Sequence, residues 1–402
     1  MASIIMEGRD SLQENPPNYL DAFLDSYEAQ GRASLDLSSI PSEHPQRDEV
    51  INPIMEVARP SDASIISSFL PVRPEIVKRV IRSGEITFLL LKDTLDRALG
   101  VLPYTLDFPN HRGTQGRVFL KEDYQDRVDL NKALLGSYLY FFNRHKKDLW
   151  AWSRTCNVNR LDARVRSSNL EGVDTQLSCR SCGFLPIGLY PNKFIRERRA
   201  ESILLHAGYF EKALHERRTH RTPTLIPPVA KSFVHSTDAF GLGCVEFVSG
   251  HGFTDYGLVD RLEQGVRKRA RENKISLEFK SESTDAFLEC EMDPIQPSLI
   301  IRDYYVDCPE EMIAFTGALN RLAKEHQVRY VEAFASAYEP RIQACFLKLG
   351  LTPTGYLPSW IIDVDGNALE DRILFTRHDG AISSPSNWTP DARKFLHALD
   401  LT

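Results

Sequence analysis

The sequence predicts an α/β (α+β) protein made of two related domains, each a mixed, mostly antiparallel sheet flanked by helices. Three observations lead there. First, two stretches share one skeleton, TQLSCRSCGFLPIGLYP from Thr175 to Pro191 and IQACFLKLGLTPTGYLP from Ile342 to Pro358. Gln176 matches Gln343, Gly183 matches Gly350, Pro186 matches Pro353, Gly188 matches Gly355 and Pro191 matches Pro358, always 167 positions apart. Five matches in one register mark an internal repeat, and the period is that of a domain rather than a solenoid unit. Second, 402 residues suffice for two separate cores. Third, short strand and helix patterns alternate from Ile54 onward.

Residues 1–50 read as an N-terminal arm with one amphipathic helix, since Leu20, Phe23, Leu24 and Tyr27 follow the helical period after Pro16-Pro17. The first domain is expected over 51–212. It opens with a strand (54–60), a capped helix at SDASIISSF and a helix over 74–84 closed by Gly84. Strands follow at 86–93, 98–106 and 116–124, then a helix over 129–147 with Leu130, Leu134, Tyr138 and Phe141 on one stripe. A strand (148–156), a helix ending at Gly183, the strand FLPIGLYP and a strand over 200–210 complete it. A Pro-rich linker spans 213–228, and the second domain 229–402. Its expected elements are a helix over 229–240, a helix through GLVDRLEQGVRKRAREN, strands in SLEFKSESTDAFLECEM, a strand over 298–307, a helix over 309–327, a strand over 328–337, a helix in EPRIQACFLKLG and a final helix, PDARKFLHAL.

Composition narrows the function. Hydrophobic residues at 42% and charged residues at 26% are those of a globular chain. No apolar run approaches the roughly 20 residues of a membrane span, and MASIIMEGRD lacks a signal-peptide pattern, so the expected compartment is the cytoplasm. Of seven cysteines only Cys179 and Cys182 have CxxC spacing; with no second pair or His pair nearby, they read as buried thiols and no metal is expected. There is no GxSxG, GxGxxG or GK[ST]. The net charge of −6 is uneven: residues 1–50 hold ten acids and three bases, whereas Lys193 to Arg221 and Arg261 to Lys274 are basic. Such segments are either solvated faces or anion-binding surfaces.

The element order, together with a helix ending in Gly-Phe before a strand containing P-x-G, resembles the GNAT N-acyltransferase superfamily over about residues 54–210. The resemblance implies a fourth strand and third helix splayed around an acyl-CoA pantetheine, with the acyl carbonyl at the splay of the fourth and fifth strands. It makes acyl-CoA a co-substrate rather than a tightly bound cofactor. The family's glycine-rich pyrophosphate loop corresponds here to Tyr124, Gln125, Asp126, Arg127, Val128, Asp129 and Leu130. Of these, Tyr124, Gln125, Arg127, Val128 and Leu130 are carried over as cofactor-binding residues, although Val128 and Leu130 replace glycines and the two aspartates oppose a phosphate. Cys179 stands where the family has its general-acid Tyr, and a structural thiol is the competing reading. Asn157 and Asn159, after the fifth strand, match positions that contact pantetheine or acceptor; as turn formers they also fit a plain loop. In the second copy Phe346 takes the place of the acid Tyr, and the loop CPEEM has neither glycine nor base.

Base candidates at the end of the first copy's fourth strand are Glu122 and Asp123, whose pKa an apolar strand neighbour would raise. Solvent-exposed strand ends are the alternative, and His145 and His206 are further possibilities. The sequence thus predicts an acyltransferase that moves an acyl group from a thioester or ester, acyl-CoA by default, to the amine of a small molecule. The spoiled loop and the basic segments keep open an aminoacyl-tRNA or carrier-protein donor, and a non-catalytic GNAT-fold binding protein is the third possibility. Two fused copies favour a monomer.

Overall fold

The computed structural model describes residues 53–84, 86–116, 118–124, 151–157, 183–196, 199–209, 221–249, 254–271, 274–279, 285–293, 295–362, 368–382 and 389–400, together with 34–36 and a few isolated positions. The chain divides into two compact units. Unit 1 comprises Met1–Leu106, Gly116–Lys147 and Ser178–Gly183; unit 2 comprises Asp107–Gln115, Asp148–Leu177 and Phe184–Thr402.

In unit 1, β1 (Ser34–Asp36), β2 (Ile54–Val57), β3 (Thr87–Lys92) and β4 (Ala98–Asp107) pair antiparallel in that order. The run Phe88–Leu91 is buried throughout, as a strand covered on both faces must be. Helices α1 (Ala63–Ser67) and α2 (Pro74–Ser83) pack Ala63, Ile66 and Val77 against Phe88, Leu90 and Val101. Pro74 opens α2, and Gly84 closes it at φ 75°, a left-handed conformation that a side chain would strain. The expected strand over 116–124 differs: the chain forms β5 (Arg112–Gln115), β6 (Phe119–Leu120) on β4, and then a 3-10 turn at Glu122–Tyr124. Gly116 separates the two strands. Its N–H donates to the Pro103 carbonyl at 2.8 Å, and an added Cβ would lie 2.9 Å from that oxygen.

In unit 2, β5 runs parallel to β7 (Ala151–Asn157), followed by β9 (Arg199–Tyr209) and β8 (Leu185–Arg196). The sheet continues through β17 (Thr352–Ile362), β18 (Leu369–His378), β16 (Tyr330–Ser336), β15 (Ser298–Tyr305), β14 (Phe287–Asp293), β13 (Lys274–Phe279) and β12 (Val266–Arg271). Outside it lie β10 (Thr224–Leu225) paired with β11 (Glu246–Phe247), and helices α3 (Ala230–Phe240), α4 (Tyr256–Gly265), α5 (Pro309–Glu325), α6 (Pro340–Lys348) and α7 (Pro390–Ala398). The main core joins Met312, Phe315, Leu319 and Leu322 of α5 to Leu299, Val331, Tyr356 and Phe375. The helix expected through Asn273 stops at Gly265. Residues 266–271 are instead a strand because they pair along their whole length with β13, and that pairing overrides a weak helical preference. No helix among the described residues is long and apolar enough to cross a membrane.

The repeat seen in sequence is also a repeat of geometry. The order β7-β9-β8 is mirrored by β16-β18-β17, and the two halves meet where Gly188 pairs with Gly355. Register shifts fall at Pro186/Gly188 and Tyr190/Phe194 in β8, and at Pro353/Gly355 and Leu357/Ile361 in β17. Asn192 and Ser359, 167 apart, have φ of 49° and 48°. Their N–H groups donate to Ser202 Oγ and Asp371 Oδ1, each at 2.9 Å. The N–H of Ile195 donates to Gln296 Oε1 at 2.7 Å, and that of Ile362 to Asn110 Oδ1 at 2.8 Å.

The matched glutamines explain a further symmetry. Gln343, fully buried, accepts the Ile226 N–H at 3.1 Å ahead of α3 and donates to the Thr224 and Ser336 carbonyls, both at 3.0 Å. Gln176 accepts the N–H and hydroxyl of Thr389, the N-cap of α7, both at 3.1 Å. The helix after the first copy therefore docks on β17, and the helix after the second copy places Phe395 and Leu396 on Leu189 and Leu204 of the first. Helix α3 also reaches β8, where His235 Nε2 meets the Pro186 carbonyl at 3.0 Å, so α3 and α7 lie together against the β8–β17 seam.

Candidate functional site

The site residues expected in the first copy occupy three places. Glu122, Asp123 and Tyr124 form the 3-10 turn of unit 1, with Glu122 and Asp123 exposed. The N–H groups of Arg127 and Val128 both donate to the Tyr124 carbonyl, at 3.1 and 3.2 Å, so the turn itself consumes donors that a phosphate would need. Val128 is buried and bridges Ile51. Cys179 is buried in unit 1. Asn157 ends β7 in unit 2. Gln125, Leu130, Asn159 and His145 lie outside the described residues. His206 is buried on β9.

In the second copy two neighbouring strands splay apart. Strands β15 and β16 run parallel over only three residues, Ser298↔Tyr330 to Ile300↔Glu332, although β15 continues to Tyr305 and β16 to Ser336. On β16 the Ala337 N–H donates to Asp371 O at 3.1 Å on the β18 side. Strand alternation therefore turns the N–H groups of Phe334 and Ser336 toward the gap. A polar cluster gathers at this gap. Ser336 Oγ donates to Glu370 Oε2 at 3.5 Å, and Arg372 Nη2 lies 3.3 Å from the same oxygen. The Tyr304 ring meets Phe346 edge-on at 5.8 Å. Its hydroxyl is buried, and the Ser336 main-chain N–H is among the groups acting on it. Burial pushes the phenol's pKa up, and Arg372, Glu339 and Glu370 are the charges acting on it. Arg372 Nε is also buried without a partner. Unmet buried donors of this kind each cost about 1–3 kcal/mol. Sequence reasoning missed this cluster, although Glu370-Asp371-Arg372 inside an otherwise apolar strand was a readable signal.

The N-terminus of α5 is already capped by its own side chains. Glu311 Oε2 accepts the N–H groups of Asp307 at 2.7 Å and Cys308 at 3.4 Å, a capping arrangement that places a carboxylate at the positive end of the helix. Glu310 Oε1 accepts the Asp255 N–H at 3.2 Å. Burial pushes the Cys308 thiol up, so it offers no anion there either.

No protein-family model and no curated protein sequence matches the chain. Among solved structures, the ribosomal-protein-S5-alanine acetyltransferase from Vibrio fischeri is similar at 14% identity and a TM-score of 0.31, covering 42% of this chain and 96% of that one. The spermidine/spermine N-acetyltransferase from Vibrio cholerae is similar at 10% identity and a TM-score of 0.31, covering 40% and 94%.

A buried ion pair joins the copies beside the splay. Lys193 Nζ on β8 lies 2.7 Å from Glu332 Oε2 on β16, which also accepts the Tyr330 hydroxyl at 2.8 Å. Burial, then Glu332, raises the pKa of both Tyr190 and Tyr330, keeping the phenols neutral. Arg329 donates to the carbonyls of Asn192 and Lys193 at 2.5 and 2.7 Å. Lys193, the first base of one basic segment, is thus structural, as is Arg221, which donates to the Tyr338 carbonyl at 3.0 Å.

Proposed function

We propose that the chain is a tandem GNAT-type N-acyltransferase that moves an acyl group from a thioester, acyl-CoA by default, to the amine of a small molecule. The observation that carries this reading is the repeated strand order: the second copy has a pair of parallel strands, β15 and β16, that part after three residues with main-chain N–H groups facing the gap, and the first copy repeats the arrangement with β5 parallel to β7. Acyl transfer needs a carbonyl held against N–H groups, an amine stripped of its proton and an acid for the leaving thiolate. The donor belongs to the first copy in this reading, because Glu311 occupies the corresponding anion position in the second.

There, Glu122 or Asp123 takes the proton of the acceptor amine as its nitrogen bonds to the acyl carbon. The C–S bond breaks, and Cys179 supplies a proton to the departing sulfur. Tyr124, Gln125, Arg127, Val128 and Leu130 line the donor in this scheme. The domains are those of residues 51–212 and 229–402, the second shaping the acceptor site. The strand seam between the copies supports a monomer.

The test is thiol release from acetyl-CoA and longer acyl-CoAs with a panel of amines. Turnover that falls at least 100-fold in E122Q or D123N supports the scheme. Absence of thiol release with every amine, together with steeply salt-dependent tRNA binding, would move the donor to an aminoacyl-tRNA. Release that survives both substitutions would remove these carboxylates as bases.

A further inference from the structure

The basic segment Arg261 to Lys274 is not absorbed by the acyl-transfer reading. Its centre is β12, the last strand in the sheet order, paired only with β13. One edge of this strand therefore presents main-chain N–H and C=O groups that no described strand uses. Four of its six residues are cations, and Arg267, Lys268, Arg269 and Arg271 are all exposed.

The register separates them by face. Lys268 and Ala270 lie opposite Leu277 and Ile275, whose side chains enter the core. Arg267, Arg269 and Arg271 lie on the other face, two residues apart, hence about 6.6–6.8 Å from one to the next. Arg269 meets Glu278 at 3.3 Å and Lys268 approaches Glu325 at 3.9 Å. Arg267 and Arg271 make no ion pair with a described residue. On that face the next strands add Lys274 and the acids Glu278, Glu289 and Glu291, of which Glu278 meets Arg269 and Glu291 is taken by Arg302 from β15, so the outermost strand itself carries only positive charge.

A single charge is enough to discourage a sheet edge from pairing with its own kind. Three arginines at strand spacing do more, because they favour an incoming strand of opposite charge over a copy of this one. We infer that β12 is a docking edge for an extended acidic peptide, which adds as a further strand and sets its carboxylates, two residues apart, against Arg267, Arg269 and Arg271. The period of the partner's side chains then equals that of the arginines, and its main chain meets the unused edge groups. A single-stranded nucleic acid is the less suitable occupant. It would call for aromatic platforms, and none of the exposed aromatic side chains among the described residues lies on β12 or β13.

The experiment is fluorescence anisotropy with the full chain and a labelled peptide alternating Glu with Thr or Val, at 50 and 200 mM salt. Three controls accompany it: a Lys-for-Glu peptide, an alternately N-methylated peptide and a single-stranded RNA of equal charge. Saturable binding of the Glu peptide is expected, with no binding of the Lys peptide and at least tenfold loss on N-methylation. The triple variant R267E/R269E/R271E should lose at least tenfold in affinity at an unchanged unfolding midpoint. Equal binding of the N-methylated peptide would overturn strand addition, and tighter binding of the RNA would overturn the choice of partner. Unchanged affinity in a folded triple variant would overturn the site itself.

Discussion

Replacing Gly355 with Ala tests the seam between the copies. Gly355 and Gly188 are matched residues of the repeat and pair with each other, yet their surroundings differ. A Cβ on Gly355 would lie 2.5 Å from the Ile187 carbonyl oxygen and 2.7 Å from the Gly188 Cα, both main-chain atoms of the neighbouring strand. A Cβ on Gly188 would meet only side chains, Leu374 Cδ2 at 3.3 Å and Leu205 at 3.6 Å. Overpacking a well-filled core costs about 1–3 kcal/mol, and relief is available only where the obstructing atom moves freely. Leu374 has rotamers to spare, whereas β8 is bonded along its length to β9. The expected cost is therefore about 3 kcal/mol or more for G355A and about 1 kcal/mol or less for G188A. Urea unfolding followed by circular dichroism measures both, with attention to whether the slope changes along with the midpoint. Equal midpoints for the two variants would refute the close approach of β8 and β17.

Other predictions follow from the same structure. K193M leaves Glu332 buried without its cation and is expected to cost about 3–5 kcal/mol in urea unfolding, more than E332Q with Lys193 retained. Q343L strips partners from the Ile226 N–H, the buried Ser336 carbonyl and the partly buried Thr224 carbonyl and should destabilise by about 3 kcal/mol or more, against about 1–2 kcal/mol for Q176L. His235 donates from Nε2 to the Pro186 carbonyl at 3.0 Å and packs 4.8 Å from Phe395, with Nδ1 buried and unpartnered; burial lowers its pKa. A lowered folded-state value means that its contribution is full above the ordinary pKa of about 6.5 and is lost as pH falls below it. The unfolding midpoint should therefore drop from pH 7 to pH 5, and H235Q should flatten that drop. E311A removes a cap worth about 1 kcal/mol and should leave acyl transfer intact, since the first copy holds the donor in our scheme.

The outline of the fold was legible because its signals are local. Gly350 ends a helix with φ of 76°, and Gly183 has the matching φ of 74°, as the repeated G-[F/L] predicts; the strand after each is where the two copies touch. Gly84 and Gly241 mark helix ends in the same way. The docking of α3 and α7 was not legible, because it depends on which distant N–H groups Gln176 and Gln343 meet. Likewise the 266–271 segment has a composition that suits a helix, and only its pairing with β13 makes it a strand. Of the candidate site, Cys179 could be read as a buried thiol, whereas the Tyr304, Ser336, Glu370 and Arg372 cluster is drawn from three separate strands. No single sequence window contains it.

The most direct measurement is calorimetric titration of the purified chain with acetyl-CoA at two salt concentrations. Binding at one site per chain with micromolar affinity, about −8 kcal/mol, is predicted, with little change between the two salts. Two sites per chain would contradict the assignment of the donor to the first copy alone, and no binding would contradict acyl-CoA as the donor.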